Sequence, residues 1–227
     1  ESPRRYWSNH TKQKHSFWSI ERIQPFIGDY ALPGVLEAAA KTRSFRRELI
    51  LFSSDYGQGH YGLNLILNLR RLGYGHYLMV GFNEDACLRM FEHDPDLGCV
   101  WDGSFEPVVG AFSQTRIAPH QMRSRPRSPH FHDRLDQWAI RGDLAAWIVR
   151  WKVFARLVAQ GFNVLLMDTD AVLLEDVYPH LKIPPFAKFN LLFHSEDHAD
   201  SYLQCGFVYC QNAHPRGPSA WVLAQMP

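Results

Sequence analysis

The sequence predicts an α/β fold in which a mostly parallel sheet carries helices on both faces. Two observations favour it. Short apolar runs alternate with amphipathic helical segments along the 227-residue chain, and this order is typical of parallel strands joined by crossover helices. The run Val164-Leu165-Leu166-Met167 is apolar at every position, which indicates a strand buried on both faces.

The first half of the chain contains the first part of this alternation. Strands are predicted at residues 48–54, 76–82 and 99–101, where β-branched, aromatic and leucine side chains are concentrated. Helices are predicted between them, at residues 61–72 and from Asn83 to about residue 93. Asn83 is a suitable N-cap because its side chain can accept a hydrogen bond from a helical amide.

The second half of the chain contains the most regular helix, at residues 143–160. Large apolar side chains recur there at three- and four-residue steps and form a wide stripe. The stripe consists of Leu144, Trp147, Ile148, Trp151, Phe154, Ala155 and Val158. The central strand follows directly after Gly161. Further strands are predicted at residues 189–193 and 203–210, and a helix begins near Pro218.

Asp168 and Asp170 come directly after the central strand. Acids at this position lie where open α/β sheets bind ligands, and alternate residues of an extended chain share a face. Two carboxylates that converge there would be hard oxygen ligands for Mg²⁺ or Mn²⁺, particularly when phosphate oxygens complete the shell. The same spacing also fits a solvated turn or a helix cap, so the surroundings must distinguish these interpretations.

The composition is that of a globular protein. Hydrophobic residues make up 46% of the chain and charged residues 21%, and the net charge of +1 does not imply a nucleic-acid partner. No apolar run approaches the roughly 18 residues needed to span a bilayer. We expect residues 1–45 to form a basic N-terminal arm and residues 46–227 to form the folded domain, which we expect to be incomplete at its C-terminal end.

The four cysteines leave two interpretations open. They are Cys87, Cys99, Cys205 and Cys210. The absence of a Cys-x-x-Cys pair argues against a structural zinc site. An even number permits two disulfides in an oxidising compartment, whereas four free buried thiols fit the same sequence.

Four blocks of sequence together resemble one enzyme family. They are residues 49–54 with Asn64 and residues 69–73, then residues 77–82, then residues 152–172, and finally residues 195–197 with 203–209. Over about residues 46–226 the chain resembles the nucleotide-diphospho-sugar transferase family of plant and algal cell-wall glycosylation. That family contains xylosyl- and arabinosyltransferases and has a glycosyltransferase-A fold. The third block is the most specific, because a helix, a glycine, a strand and paired acids occur together there.

This resemblance implies a retaining, metal-dependent transfer of a hexosyl or pentosyl group from a nucleotide-diphospho-sugar, in particular a UDP-sugar, to a glycan or glycoprotein acceptor. Mn²⁺ or Mg²⁺ would be held by Asp168 and Asp170. The donor would contact Ser53, Ser54, Asp55, Asn64, Asn83, Lys152 and Thr169. The sugar and acceptor would lie near Glu196, Asp197, Gln204 and Gly206. No catalytic nucleophile is assigned.

The resemblance also implies a compartment, although two residues of this chain differ from the pattern of the family. The compartment would be the Golgi lumen, with the membrane anchor of a type II protein lying outside this chain. The family usually has Asn where Gln204 stands here, and Asp where Asn83 stands. These differences affect the donor and acceptor assignments more than the fold.

Two other functions fit parts of the same sequence. The run that ends in Asp168-Thr169-Asp170-Ala171-Val172 resembles the first motif of haloacid-dehalogenase-type phosphatases, in which the first Asp is the nucleophile. That motif usually opens its domain, whereas most of the predicted sheet precedes it here. A non-catalytic, transferase-like domain that binds a glycan is the other alternative.

Overall fold

The computed structural model describes residues 24–54, 59–104, 142–195 and 203–225, with side chains from residue 148 in the third range and from residue 205 in the fourth. The strands in these ranges are β1 (Phe26–Asp29), β2 (Glu48–Ser54), β3 (Tyr77–Gly81), β4 (Gly98–Trp101), β5 (Asn163–Met167), β6 (Leu191–Ser195) and β7 (Leu203–Cys210). The helices are α1 (Val35–Arg43), α2 (Gly59–Arg71), α3 (Glu84–His93), α4 (Gly142–Ala159), α5 (Tyr178–Leu181) and α6 (Pro218–Leu223), and a 3₁₀ turn spans Phe186–Lys188. Within these ranges no helix combines the length and apolar character needed to cross a bilayer.

All seven strands form one sheet in the order β1-β4-β3-β2-β5-β7-β6. The first five strands in that order pair in parallel, whereas β7 is antiparallel to β5 and β6 is antiparallel to β7. The predicted α/β class with a mostly parallel sheet is confirmed. The predicted strand positions are also close to those observed, although β6 begins two residues later than its predicted start at residue 189.

Helices cover both faces of the sheet, as the apolar runs predict. In β2, Leu49 and Leu51 pack into a core that α1, α4 and α6 complete. Ile50 and Phe52 point to the opposite face, where α2, α3 and α5 form a second core. A strand that is buried on both sides has no need for polar alternation, which is why residues 49–52 of β2 and 164–167 of β5 are apolar at every position.

Part of the predicted N-terminal arm lies inside the domain. β1 pairs in parallel with β4 at the edge of the sheet, and Leu36, Ala39 and Ala40 of α1 are buried in the first core. The predicted arm extends to residue 45, because a strand of four residues is too short to give a periodic signal. Residues 1–23 lie outside the described part of the chain.

Arg43, at the end of α1, fixes this N-terminal segment to the sheet. Its side chain is 1% exposed, and its guanidinium donates to the carbonyl oxygens of Tyr77, Gln24, Asp96 and Gly75 over 2.8–3.1 Å. A Cβ atom at Gly98 would lie 2.5 Å from the Arg43 Nε. Gly98 therefore leaves the space that the buried guanidinium occupies.

A disulfide joins Cys87 of α3 to Cys99 of β4, whereas Cys205 and Cys210 are free thiols. The two joined residues are 12 apart in sequence, and both are fully buried. The structure thus combines the two interpretations that the sequence left open, with one disulfide and two free cysteines.

We expect denatured, unreduced protein to contain two free thiols that react with an alkylating reagent. Replacing Cys87 and Cys99 with alanine should lower the free energy of unfolding by about 3 kcal/mol, because the unfolded chain loses a short cross-link. Mass spectrometry of alkylated peptides and urea denaturation would check both results. The control is Cys210→Ala, which removes a buried thiol and no disulfide. Four reactive thiols in the denatured, unreduced protein would contradict the assignment.

Candidate active site at the ends of β2 and β5

The carboxyl ends of β2 and β5 meet where the strand order reverses. From β2 the chain builds β3 and then β4 on one side, and it places β5 on the other side. Such a switch point is where open α/β sheets hold their ligands. The parallel register pairs Leu51 with Leu166, and continuing it by two residues places Ser53 level with Asp168.

Asp168 begins a turn instead of extending the strand. β5 ends at Met167, and the Ala171 amide donates to the Asp168 carbonyl over 3.2 Å. The expectation that Asp168 and Asp170 share one face of an extended chain is therefore wrong, although both acids follow the strand end as predicted. The Asp168 amide donates to the Gly206 carbonyl over 2.8 Å, which fixes the turn to β7.

The Asp168 carboxylate forms an ion pair with Arg150 of α4. The Arg150 side chain is 4% exposed and the Asp168 side chain is 32% exposed, so the pair lies partly buried below an open surface. Among the described residues, the Arg150 Nε has no hydrogen-bond acceptor. A buried guanidinium that is only partly satisfied keeps positive charge next to the acid pair.

Carboxylate oxygens remain available in the turn that follows β5. Asp170 is exposed and Thr169 is half-buried in the same turn. In the described ranges, neither Asp170 nor the second carboxylate oxygen of Asp168 has a partner. These ranges also contain no group of three or more His, Cys, Asp or Glu residues that could hold a metal ion. The chain would thus supply two carboxylates, and phosphate oxygens of a substrate would complete the shell.

Asn68 of α2 holds the segment that follows the acid pair. Its side-chain amide donates to the Leu173 carbonyl over 2.9 Å and its oxygen accepts from the Leu173 amide over 2.9 Å. Both groups are buried, so the two bonds fix the path of the chain after Asp170. Asn64, which we predicted as a donor contact, lies one turn earlier on α2 and is exposed.

The other predicted donor residues are in different surroundings. Ser53 is half-buried at the end of β2, whereas Ser54 is 2% exposed. A Cβ atom at Gly62 of α2 would lie 3.1 Å from the Ser54 hydroxyl, so this serine packs against the helix. The Asn83 side chain accepts from the Ala86 amide over 2.8 Å and caps α3, as predicted. Asp55 lies outside the described residues.

Lys152 is exposed on α4, two residues after Arg150. Two helical residues at this spacing point in nearly opposite directions, so Lys152 does not share the face that carries Arg150. It lines a cavity of about 240 Å³ with Tyr30, Asp102 and Arg156. This cavity lies at the ends of β1 and β4.

β7 brings its own residues next to the ion pair. Gly206 accepts from the Asp168 amide, as described above, and Cys205 is half-buried beside it. Burial raises the pKa of the Cys205 thiol, with Arg150 opposing this shift and Asp168 adding to it, so the thiol is a weak nucleophile. Gln204 pairs with His194 in the sheet, and its side chain lies outside the described part, as do Glu196 and Asp197.

The buried face of α4 differs from the stripe that the sequence predicts. From residue 148 onward, where its side chains are described, the buried residues are Val149, Arg150, Val153, Phe154, Leu157 and Val158. The side chains of Leu144 and Trp147, which the predicted stripe includes, lie outside the described part. Trp151 and Ala155 are only partly buried, so the core-facing row is rotated toward Arg150. Arg150 is a charged residue among the apolar residues of α4, the helix that precedes β5. It was the sequence signal for the ion pair, because a buried charge requires a partner.

Comparisons with known proteins place few limits on this site. No family model matches the chain, and no curated protein matches it. A solved structure that does match is the apo form of WbbM, a bifunctional glycosyltransferase, with 16% sequence identity and a TM-score of 0.36. The match covers 71% of this chain and 31% of WbbM, so the chain spans about a third of that protein. It gives no support to the plant and algal family, and a likeness this weak does not identify an activity.

Proposed function

We propose that the chain is a metal-dependent glycosyltransferase domain that moves a sugar from a nucleotide-diphospho-sugar to a glycan or glycoprotein acceptor. One observation carries the proposal. The acids Asp168 and Asp170 lie at the switch point of the sheet, above the buried cation of Arg150. The carboxylates could hold a metal ion that binds the diphosphate of the donor. The metal ion and the Arg150 cation would then both stabilise the negative charge that this diphosphate gains as it leaves.

The chemistry of sugar transfer explains why these groups would be needed. The donor breaks its bond between the sugar and the diphosphate, and the nucleoside diphosphate leaves with additional negative charge. Mn²⁺ or Mg²⁺ held by Asp168 and Asp170 would act as a Lewis acid toward that diphosphate. Arg150 would orient the Asp168 carboxylate through their ion pair and add positive charge below the site.

The acceptor would enter on the side of β7. The Gly206 carbonyl is already occupied by the Asp168 amide, so this strand fixes the acid turn and borders the space beside it. Glu196, Asp197 and Gln204 remain our candidates for the sugar and acceptor. A UDP-sugar donor and retention of configuration both follow from the family resemblance.

The disulfide supports a secretory compartment. Disulfides persist in oxidising surroundings and are rare in the cytosol, and Cys87 is joined to Cys99 here. We therefore propose a compartment of the secretory pathway, among which the family resemblance implies the Golgi lumen.

A non-catalytic domain that binds a nucleotide or glycan is the second candidate. It is favoured by the ion pair itself, because Arg150 occupies one oxygen of Asp168 and would compete with a metal for that carboxylate.

The test is to incubate the purified chain with a panel of UDP-sugars, with MnCl₂ or with EDTA, and to measure released UDP. We expect release from at least one UDP-sugar that requires Mn²⁺ and disappears in Asp170→Asn. Binding of UDP without any release would favour the second candidate. Hydrolysis of p-nitrophenyl phosphate that is lost in Asp168→Asn would instead support the phosphatase alternative and contradict sugar transfer.

A further inference from the structure

A second cavity lies at the opposite edge of the sheet from the candidate active site. It has a volume of about 490 Å³. Its lining residues are Phe45, Arg46, Glu48, Asp176, Tyr178, Pro179, Lys182 and Ile183. Glu48 is the first residue of β2 and is level with Asn163, five residues before Asp168. At about 3.3 Å per residue, the two sites are separated by roughly 16 Å along the strands.

The acids that line this cavity are already satisfied. The buried Glu48 carboxylate accepts from Asn163 over 2.6 Å, from Lys182 over 2.5 Å and from the Tyr209 hydroxyl over 2.8 Å. Asp176 accepts from the Tyr74 hydroxyl and from the Tyr178 amide. These carboxylates therefore have little capacity left for a ligand that donates hydrogen bonds.

The hydrogen-bonding groups of the cavity that remain available to a ligand are donors. The Lys182 ammonium has two further N–H groups after its bond to Glu48, and its side chain is 38% exposed. Arg46 is exposed and stacks 5.2 Å above the Phe45 ring. Among the described residues, no carboxylate pairs with Arg46. Two cations thus flank a cavity whose apolar lining consists of the half-buried Phe45 and the exposed Pro179 and Ile183.

Arg46 also adopts an unfavourable backbone conformation. Arg46 and Arg47 occupy the centre of a tight turn at φ values of 51° and 68°, where glycine or asparagine is usual. Arg47 has a structural role, because its guanidinium donates to the Gly161 and Gln160 carbonyls over 2.7 Å. Arg46 makes no comparable hydrogen bond in the described ranges, so hydrogen bonding within this part of the chain does not explain an arginine at this position.

We propose that this cavity binds a small organic anion. The ring or acyl body of the ligand packs against Phe45, Pro179 and Ile183, and its acidic group pairs with Arg46 and Lys182. A charge-assisted contact to a guanidinium is stronger than a neutral hydrogen bond, and the apolar lining excludes water around the body of the ligand. The site is separate from the edge that carries Asp168 and Asp170, and it does not require sugar transfer.

The test measures binding by calorimetry in the presence of EDTA, with glucuronate and phenyl phosphate as probes. Glucose supplies a ring without charge, and inorganic phosphate supplies charge without a ring. We expect saturable binding of one or both ring-bearing anions, at least about tenfold tighter than of either control compound. Their relative affinities distinguish a carboxylate-bearing sugar from an aromatic phosphate.

The informative variant is Arg46→Asn, because asparagine tolerates positive φ and carries no charge. It should fold at least as stably as the wild type and bind the probe about tenfold more weakly. Arg71→Asn is the matched control, since it removes an exposed cation at the same edge of the sheet but does not line the cavity. Asp170→Ala should bind normally. The proposal is overturned if neither anion binds, if glucose binds equally well, or if Arg46→Asn and Arg71→Asn behave alike.

Discussion

Replacing Asp170 with alanine should reduce metal-dependent sugar transfer by about 10²- to 10³-fold or more, and it should leave the fold intact. The large effect is expected because the carboxylate would hold the ion that stabilises the leaving diphosphate. The small effect on stability is expected because Asp170 is exposed and has no partner among the described residues. Surface substitutions of this kind usually change the free energy of unfolding by less than about 0.5 kcal/mol.

Asp168→Ala should behave differently, and this difference is the sharper test. It should abolish transfer and also lower the free energy of unfolding by about 2–3 kcal/mol, because Arg150 would remain buried without its partner. We expect less than the full cost of breaking a buried pair, since Asp168 is partly exposed. The double variant with Arg150→Met should recover part of the stability and none of the activity. Urea denaturation with matched kinetics would measure both; equal destabilisation by the two alanine variants would contradict the ion pair.

The second large effect is expected at Arg43. Replacing it with methionine should lower the free energy of unfolding by about 3–5 kcal/mol, because one buried and three partly buried hydrogen bonds to carbonyl oxygens would be lost together. The matched control is Lys41→Met on the same helix. The Lys41 side chain is 68% exposed, and Glu37 is its only ion-pair partner among the described residues. That change should cost less than about 0.5 kcal/mol. Similar losses for both variants in urea denaturation would show that Arg43 does not fix the N-terminal segment to the sheet.

The sequence predicted the sheet well because its central strands contain runs, residues 49–52 and 164–167, that are apolar at every position. A strand such as β5 can be buried only between two layers of helices, so its composition indicates both its class and its environment. β1 was missed for a related reason. It is four residues long and half-buried, and it is held in the sheet by pairing with β4 and by contacts of Arg43, which are distant in sequence.

The acid pair was recognisable from the sequence, whereas its partners were not. Asp168 and Asp170 follow directly from the end of an apolar run. Arg150 and Asn68 reach the same region only through the packing of α4 and α2 on the sheet, and their contacts span 18 and 105 residues. The cysteine pairing could not be predicted from the sequence for the same reason. Four cysteines allow three full pairings as well as free thiols, and the Cys87–Cys99 contact depends on α3 packing beside β4.

Calorimetric titration of UDP into the purified chain is the most direct test of the central claim, which is that Asp168 and Asp170 hold a divalent cation against a nucleoside diphosphate. We predict saturable UDP binding with MnCl₂ and no detectable binding with EDTA. Asp170→Ala should abolish the Mn²⁺-dependent binding while its circular dichroism spectrum and unfolding midpoint stay unchanged. UDP binding that is equally tight in EDTA, or that persists in the folded Asp170→Ala variant, would contradict the account.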